Sequence, residues 1–478
     1  MTFAIAMTES VAREARSHLL RSDGAEDLCF ALWEPSRGRA RMTAIITGLI
    51  MPGDGDRILQ GNVAFTAPYF ERALALARQA GAGLAMMHSH PPYAFGWQGL
   101  SVDDHRAEAG IAGAVAAATE LPLVGMTLAG GDSHWSSRFW HRRAPRIYDP
   151  SYCDAVRIVG DALCVDFYDE QRPPPALRPR LSRTVTAWGA SAQHHLARLH
   201  VGVVGVGSVG SIIVEALARM GIERVSLLDF DALNEVNLDR TLHSYEEDAG
   251  GGIAKAVIAA HWARRAATAQ NFVVDPFEFS VCENEGYRAA LDCDVLFSCV
   301  DRPWPRSVLN FIAYAHLIPV IDGGIHVSRT RAGRMRGAEW KAHVVGPSRR
   351  CLCCLAQYDP GLVQAEREGH LDDASYIESL PADHPVRANE NVFSFSLAAA
   401  SLEVLQLVSL VVGPAGVHNF GAQTYHMAVG TMDVDAAGCT TGCAYPPLVA
   451  RGDRGGHPGT GLHVVAEAAR TRRAGSNQ

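Results

Sequence analysis

His88 and His90 stand two positions apart at the end of an apolar stretch, Leu84 to Met87. If that stretch is a strand, alternate side chains share one face and two imidazoles can grip one cation. Ser101 and Asp104 follow a segment rich in glycine and aromatics, Tyr93 to Gly99, which lets the chain return and present Asp104 as a third ligand. Three protein ligands leave the fourth position of a zinc ion open for water, and an open site is a hydrolytic one. Glu26, upstream, is the candidate base for that water's proton. Ser101 is the candidate donor to the oxyanion as a carbonyl becomes tetrahedral.

A second group of residues suits nucleotide chemistry. Gly205, Gly207 and Gly210 lie in GVGSVG, between an apolar run and a helical pattern. Such glycines permit a tight turn and bring phosphates close to a helix N-terminus. Asp229 lies about 20 residues further on, where an acidic residue would meet a ribose. To that point a dinucleotide dehydrogenase fits equally well. Asn237 and Arg240, in NLDR, then Lys255, then Asp301 after DVLFSCV, add two cations and a carboxylate that NAD does not require. Joining a carboxylate to the α-phosphate of ATP brings two anions together. Arg240 and Lys255 would neutralise the triphosphate while Asp301 holds Mg²⁺ on it, giving an acyl adenylate and pyrophosphate.

Cysteines form a third group. Cys351 and Cys354, in CLCC, and Cys439 and Cys443, in CTTGC, suit the four ligands of a closed, structural zinc site. Cys353 is a spare thiol. Cys29, Cys164, Cys282, Cys293 and Cys299 read as core.

The elements that must position these residues follow from pattern. A helix-like start, Val11 to Leu20, precedes a hairpin of Asp27 to Trp33 and Ala40 to Ile50, turning through Pro35, Ser36, Arg37 and Gly38. A helix at Phe70 to Gln79, the strand Leu84 to Met87, a helix near Asp104 to Ala118 and a strand at Leu123 to Leu128 complete an α+β unit. The proline-rich run Arg172 to Pro179 supports neither helix nor central strand and marks a linker. Beyond it, strand Val201 to Val204, helix Ser211 to Met220 and strand Arg224 to Leu228 make a βαβ unit, with further strands at Asp294 to Ser298 and Pro319 to Ile321. That is a doubly wound sheet, α/β in class. The end, Arg451 to Gln478, reads as a loose tail with a short helix at Val464 to Arg470.

Composition sets the bounds. With 478 residues, 48% hydrophobic and 20% charged, the chain can hold two or three domains with large cores. A net charge of −8 gives no bulk attraction to nucleic acid or anionic lipid. Met1 to Met7 lacks the pattern of a secretory signal, and Leu397 to Val412 is interrupted by Glu403 and Gln406, so it reads as a buried helix and not a membrane span. A cytoplasmic location is expected. Eleven cysteines in a reducing compartment point to metal ligation or thiol chemistry over disulfides.

HSHP followed by SxxD, with Glu26 upstream, resembles the JAMM (JAB/MPN) metalloprotease pattern over about the first 145 residues. The segment from His90 to Ser101 is longer than the usual spacing. The resemblance implies a cytidine-deaminase-like α+β domain that cleaves peptide or isopeptide bonds after ubiquitin-like proteins. It assigns zinc ligation to His88, His90 and Asp104 and base work to Glu26.

The series GVGSVG, DFD, NLDR, Lys255 and VDRPWPR resembles the ThiF/MoeB-type adenylation domain of ubiquitin-activating enzymes and sulfur-carrier activators. This implies a Rossmann-like domain that binds ATP and Mg²⁺ and carries a structural Zn²⁺, although the second cysteine pair is CxxxC and not CxxC. In RLSR, Arg183 takes the place of a family arginine that reaches into the other subunit's ATP site, which implies a homodimer. Family members that form a thioester place a cysteine after the first zinc pair. None lies between Gln357 and Gly438, where Ala388 to Ser394 occupies the region, so either Cys353 or another cysteine serves or the adenylate passes directly to an external thiol.

The expected organisation is residues 1–145 as metallopeptidase, 146–180 as linker, 181–447 as adenylation domain and 448–478 as tail. The expected partner is a ubiquitin-like or sulfur-carrier protein with a C-terminal glycine, together with a conjugating enzyme, in a bacterial modification system. The alternatives are a sulfur-carrier adenylyltransferase for cofactor biosynthesis, or an activating enzyme whose first domain only docks its partner.

Overall fold

The computed structural model describes residues 1–60, 62–330, 332–381, 387, 390–459 and 461–476. The chain divides into two units, one of residues 1–173 with 315–317 and 448–456, the other of 174–314, 318–447 and 457–478.

The first unit is built on a nine-stranded mixed sheet. Its order is Leu163–Phe167, Ala155–Val159, Thr2–Thr8, Arg41–Ile50, Leu28–Arg37, Gly83–Ser89, Leu123–Leu128, Trp135–Ala144 and Ile147–Tyr152. Along Leu28–Arg37, side chains alternate between two cores. Cys29, Ala31 and Trp33 pack with Ala12, Ala15 and Leu19 of helix Glu9–Leu19. Leu28 and Phe30 pack with Tyr69 and Ala73 of helix Ala67–Ala80 and with Ile111 and Val115 of helix Val102–Thr119. Each of the larger apolar side chains contributes roughly 1.5–3 kcal/mol by leaving water, so helices cover both faces of the sheet.

Several expectations for this unit are corrected. The linker drawn at 146–180 holds three strands, Ile147–Tyr152, Ala155–Val159 and Leu163–Phe167. Ala155–Val159 is wholly buried and pairs in parallel with Thr2–Thr8, so these residues finish the sheet and the boundary falls at the prolines 173 and 174. Thr2–Thr8, absent from the sequence reading, lies parallel to both its neighbours, with Ala4 to Met7 buried. Short apolar runs buried on both faces carry no alternation to read. The hairpin strand continues through Pro35 to Arg37, and the turn shifts to residues 38–40. Cys164, expected in the core, is exposed.

The second unit holds an eight-stranded sheet in the order Val273–Phe277, Arg224–Leu228, His200–Val204, Val295–Ser298, Val320–Arg329, Met335–Val345, Ala422–His426 and Thr431–Asp435. The first five are parallel and the remainder antiparallel. This is a Rossmann-like arrangement. The order reverses at His200–Val204, flanked by Arg224–Leu228 on one side and Val295–Ser298 on the other. A crevice opens at such a switch point, beyond the carboxyl ends of the strands.

Helix Phe393–Val412 is long and apolar enough by length and composition to cross a membrane, with mean hydropathy 1.9. It packs as a core helix: Ala399, Leu407 and Leu410 are buried, and buried Gln406 donates to Gly421 O at 3.1 Å. The loose tail is also corrected. Helix Val464–Ser476 docks on this unit through Arg470 to Glu283 and Arg473 to Glu278, with Ala466 buried. Of the segment Ala388 to Ser394, residues 388 and 389 lie outside the described residues.

Candidate functional site

At the switch point of the second unit lies a cavity of about 360 Å³, lined by Gly205, Gly207, Asp229, Asn237, Arg240, Lys255 and Asp301 among others. The glycines divide the work. Gly205 has φ +86°, and a Cβ there would come within 2.5 Å of Cys299 O. A Cβ on Gly210 would meet Gly205 O at 2.0 Å, so Gly210 lets helix Ser208–Arg219 close onto the loop. Nothing lies within 4 Å of a Cβ on Gly207, which leaves this edge of the loop open to a ligand.

Asp229 ends its strand buried, and both its oxygens are engaged. Oδ2 accepts from Val206 N at 2.6 Å and Oδ1 from Asp231 N at 2.8 Å. It therefore ties the glycine loop to the strand end, and contact with a ribose would use its remaining lone pairs. Burial pushes its carboxyl up to about 6, against the opposing pull of Lys255. Asn237 Oδ1 accepts from Asn234 N at 3.1 Å, which fixes the turn and leaves its amide donors for the cavity. Arg240 is held by Asp239 at 2.8 Å. Lys255 Nζ lies 3.0 Å from Asp231 Oδ2. Burial works against its charge, but Asp229, Asp231 and Asp301 outweigh that and raise its pKa, so it remains an ammonium.

The sequence reading assigned no role to Asp231, Glu366 or His463, all of which line the same cavity. Asp231 stood in the quoted DFD. Glu366 accepts from Trp304 N at 2.8 Å, and burial lifts its carboxyl to about 7. Nothing in its local sequence marks it. Arg183 is exposed on helix Ser182–Trp188 and does not line this cavity.

In the first unit, His88, His90 and Asp104 offer ligand atoms that all lie within 4.8 Å of one another. His88 lies near the end of strand Gly83–Ser89, His90 directly after it, and Asp104 in the first turn of helix Val102–Thr119. Ser101 caps that helix: its Oγ accepts from Asp104 N at 3.1 Å, and Asp104 Oδ2 accepts from Ser101 N at 3.0 Å. Accepting leaves the Ser101 hydroxyl proton available to donate. The helix is pinned from below by Glu108, fully buried with Arg138 and receiving Trp140 Nε1 at 2.6 Å.

Asp104 Oδ1 lies 3.4 Å from His88 Nε2, and Asp104 Oδ2 lies 3.4 Å from His90 Nε2. Burial raises the Asp104 carboxyl, but the two imidazoles and Ser101 hold it well below the usual carboxylate range. The residues fit a metal: the donors are of zinc-binding type, and Nε2 of each histidine faces an oxygen of Asp104. The long His90 to Ser101 segment contributes Gln98, whose Oε1 lies 3.1 Å from His90 Nδ1, so it orients the ring and leaves Nε2 for a ligand. That segment is tied down by Gly96 N to Asp132 at 2.9 Å and Gly131 N to Ala94 O at 2.8 Å. Glu26 lies within electrostatic reach of the trio. Burial raises its carboxyl, while His90 and His88 pull it down.

Cys351, Cys354, Cys439 and Cys443 converge as read, their thiols within 4.8 Å of one another, and could hold a structural zinc. Cys353 stands outside this set, and Cys299 borders the cavity of the second unit.

A family model described as the ThiF family matches residues 181–440. The tRNA threonylcarbamoyladenosine dehydratase of Escherichia coli (strain K12) is 30% identical over 150 residues, 31% of this chain and 54% of that protein. The SAMP-activating enzyme E1 of Haloferax volcanii is 27% identical over 175 residues, 37% of this chain and 60% of that protein. The chain thus spans about half the length of these curated relatives. A crystal structure of E. coli MccB with succinimide aligns at TM-score 0.42 and 16% identity, covering 57% of this chain and 76% of that one.

Proposed function

The chain belongs to the ThiF family, and from that premise we propose that its second unit uses ATP to adenylate the C-terminal carboxylate of a ubiquitin-like or sulfur-carrier protein. A carboxylate oxygen attacks the α-phosphorus, the bond to the β-phosphate oxygen breaks, pyrophosphate leaves and an acyl adenylate remains. One observation carries this reading: the glycine loop, Arg240, Lys255 and Asp301 surround one cavity at the switch point. The two cations offset the repulsion between the incoming carboxylate and the triphosphate, and the loop's open edge at Gly207 admits the phosphates. Asp301 supplies the oxygen ligand suited to Mg²⁺, which when bound would neutralise phosphate charge. The similarity to a SAMP-activating enzyme supports a protein carboxylate as the acceptor. ATP–pyrophosphate exchange with candidate carrier proteins tests this. Exchange with none of them, under conditions where ATP binds, would count against a protein acceptor.

Arg183 is proposed to act in the partner's site of a homodimer, which its exposure and its absence from its own cavity's lining support.

The first unit is proposed to cleave peptide or isopeptide bonds after the same partner. The convergence of His88, His90 and Asp104 beside Glu26 supports this. Zinc held by these three ligands would supply Lewis-acid chemistry at an open coordination position. Glu26 takes the proton from water, and the Ser101 hydroxyl donates to the developing oxyanion. Cleavage of a carrier protein extended beyond its terminal glycine, assayed with and without chelator, tests it. Docking of the carrier without cleavage would favour a binding role.

A further inference from the structure

Besides the glycine loop, the cavity's lining holds two kinds of residue: Arg240, Lys255, Asp301, Arg302, Glu366 and Asp372 are charged, whereas Phe230, Phe279, Val281, Pro305, His463 and Val465 are aromatic or apolar. Two of the latter come from the last part of the chain, and several contacts hold them there. The His463 ring, 9% exposed, stacks on the Trp304 indole at 5.3 Å with 4° between planes and meets the Phe230 ring at 5.0 Å. His463 Nδ1 also accepts from Ala466 N at 3.3 Å, at the start of helix Val464–Ser476.

The helix is fastened to the same segment that forms the cavity wall. Arg470 donates to Glu278 O at 3.0 Å and to Glu283 Oε1 at 2.5 Å, and its guanidinium lies 4.5 Å from the Phe279 ring centroid. Arg473 donates to Glu278 Oε2 at 2.9 Å. Upstream, the His457 ring meets Tyr287 at 4.6 Å. Docking of the helix and the shape of the apolar part of the lining are therefore one structural matter.

We propose that the C-terminal segment is part of the nucleotide site, with His463 and Val465 closing the end of the cavity that receives the purine base of ATP. This rests on the adenylation reading. Phosphates belong with the cations and the glycine loop, which leaves the base to the aromatic residues, on which it can stack. Burial lowers the His463 pKa, so the ring presents a neutral face.

The test is titration calorimetry of the full chain with ATP and, separately, with tripolyphosphate, which has the charge but no base. His463→Ala should weaken ATP binding about tenfold and leave tripolyphosphate binding unchanged. The double variant Arg470→Ala/Arg473→Ala, which releases the helix but touches no ligand, should shift ATP in the same direction. If His463→Ala binds ATP as tightly as the parent, or loses both ligands by the same factor, the inference is overturned. A parent that binds neither ligand overturns the adenylation reading itself, and this inference with it.

Discussion

Lys255 Nζ lies 3.0 Å from Asp231 Oδ2, and the two side chains differ in environment: the lysine is 11% exposed and the aspartate 51%. Both line the cavity, the cation buried and its partner half exposed. An ion pair with one exposed member is worth about 0–1 kcal/mol, so exchanging Asp231 for a triphosphate oxygen costs little and gains a stronger, multiply charged partner.

Lys255→Ala should therefore lower pyrophosphate exchange by about a hundredfold or more, the scale of losing one charge donor in a preorganised site. Unchanged circular dichroism and unchanged zinc content would locate the loss in the site.

The raised carboxyl of Asp229 gives a pH dependence of definite sign. Its folded value, about 6, lies above its ordinary value of 3.8. The native state then holds a proton that the unfolded chain has released, so this group's contribution to stability falls as pH rises through that window. Asp229→Asn removes the titration. Its melting temperature should gain on the parent's between pH 4 and 6. A difference that stays flat or runs the other way contradicts the buried, proton-retaining carboxyl.

Two independent metal sites should be countable. The parent should bind two zinc ions, His88→Ala one, and Cys354→Ser one, by atomic emission of dialysed protein. Loss of the four-cysteine zinc should lower the melting temperature more than loss of the other, because a closed site contributes directly to folding.

Glu26→Gln should abolish cleavage of an extended carrier while retaining the zinc at His88, His90 and Asp104 and leaving pyrophosphate exchange intact. Glu26 is not among the ligand set.

If Arg183 acts in trans, mixing Arg183→Ala with Lys255→Ala should restore activity that neither has alone. A heterodimer holds one intact composite site, so full exchange of subunits gives about a quarter of the parental rate. No recovery would place Arg183 outside the site.

Much of the nucleotide site was legible because its residues sit at strand ends and helix starts within short motifs. Gly205, Gly207, Asp229, Asn237, Arg240, Lys255 and Asp301 all reach one cavity. The convergence of His88, His90 and Asp104 was legible for the same reason, as HxH at a strand end and an aspartate in a capped helical turn. What escaped depended on distant pairing. Thr2–Thr8 and Ala155–Val159 define each other as parallel neighbours, and neither announces itself alone. His463 and Val465 lie at the cavity beside a helix that Arg470 and Arg473 fasten to Glu283 and Glu278, nearly 200 residues earlier. The Gln98 contact to His90 was hidden inside what read only as a long spacing.

The central claim is that oppositely charged side chains around one cavity let a carboxylate attack the α-phosphorus of ATP. Isotope exchange between pyrophosphate and ATP, driven by a carrier protein and compared among the parent, Arg240→Ala and Asp301→Ala, measures that step directly. Robust exchange in the parent and near-complete loss in both variants is the expected result. Exchange that persists in both variants at the parental rate would contradict it.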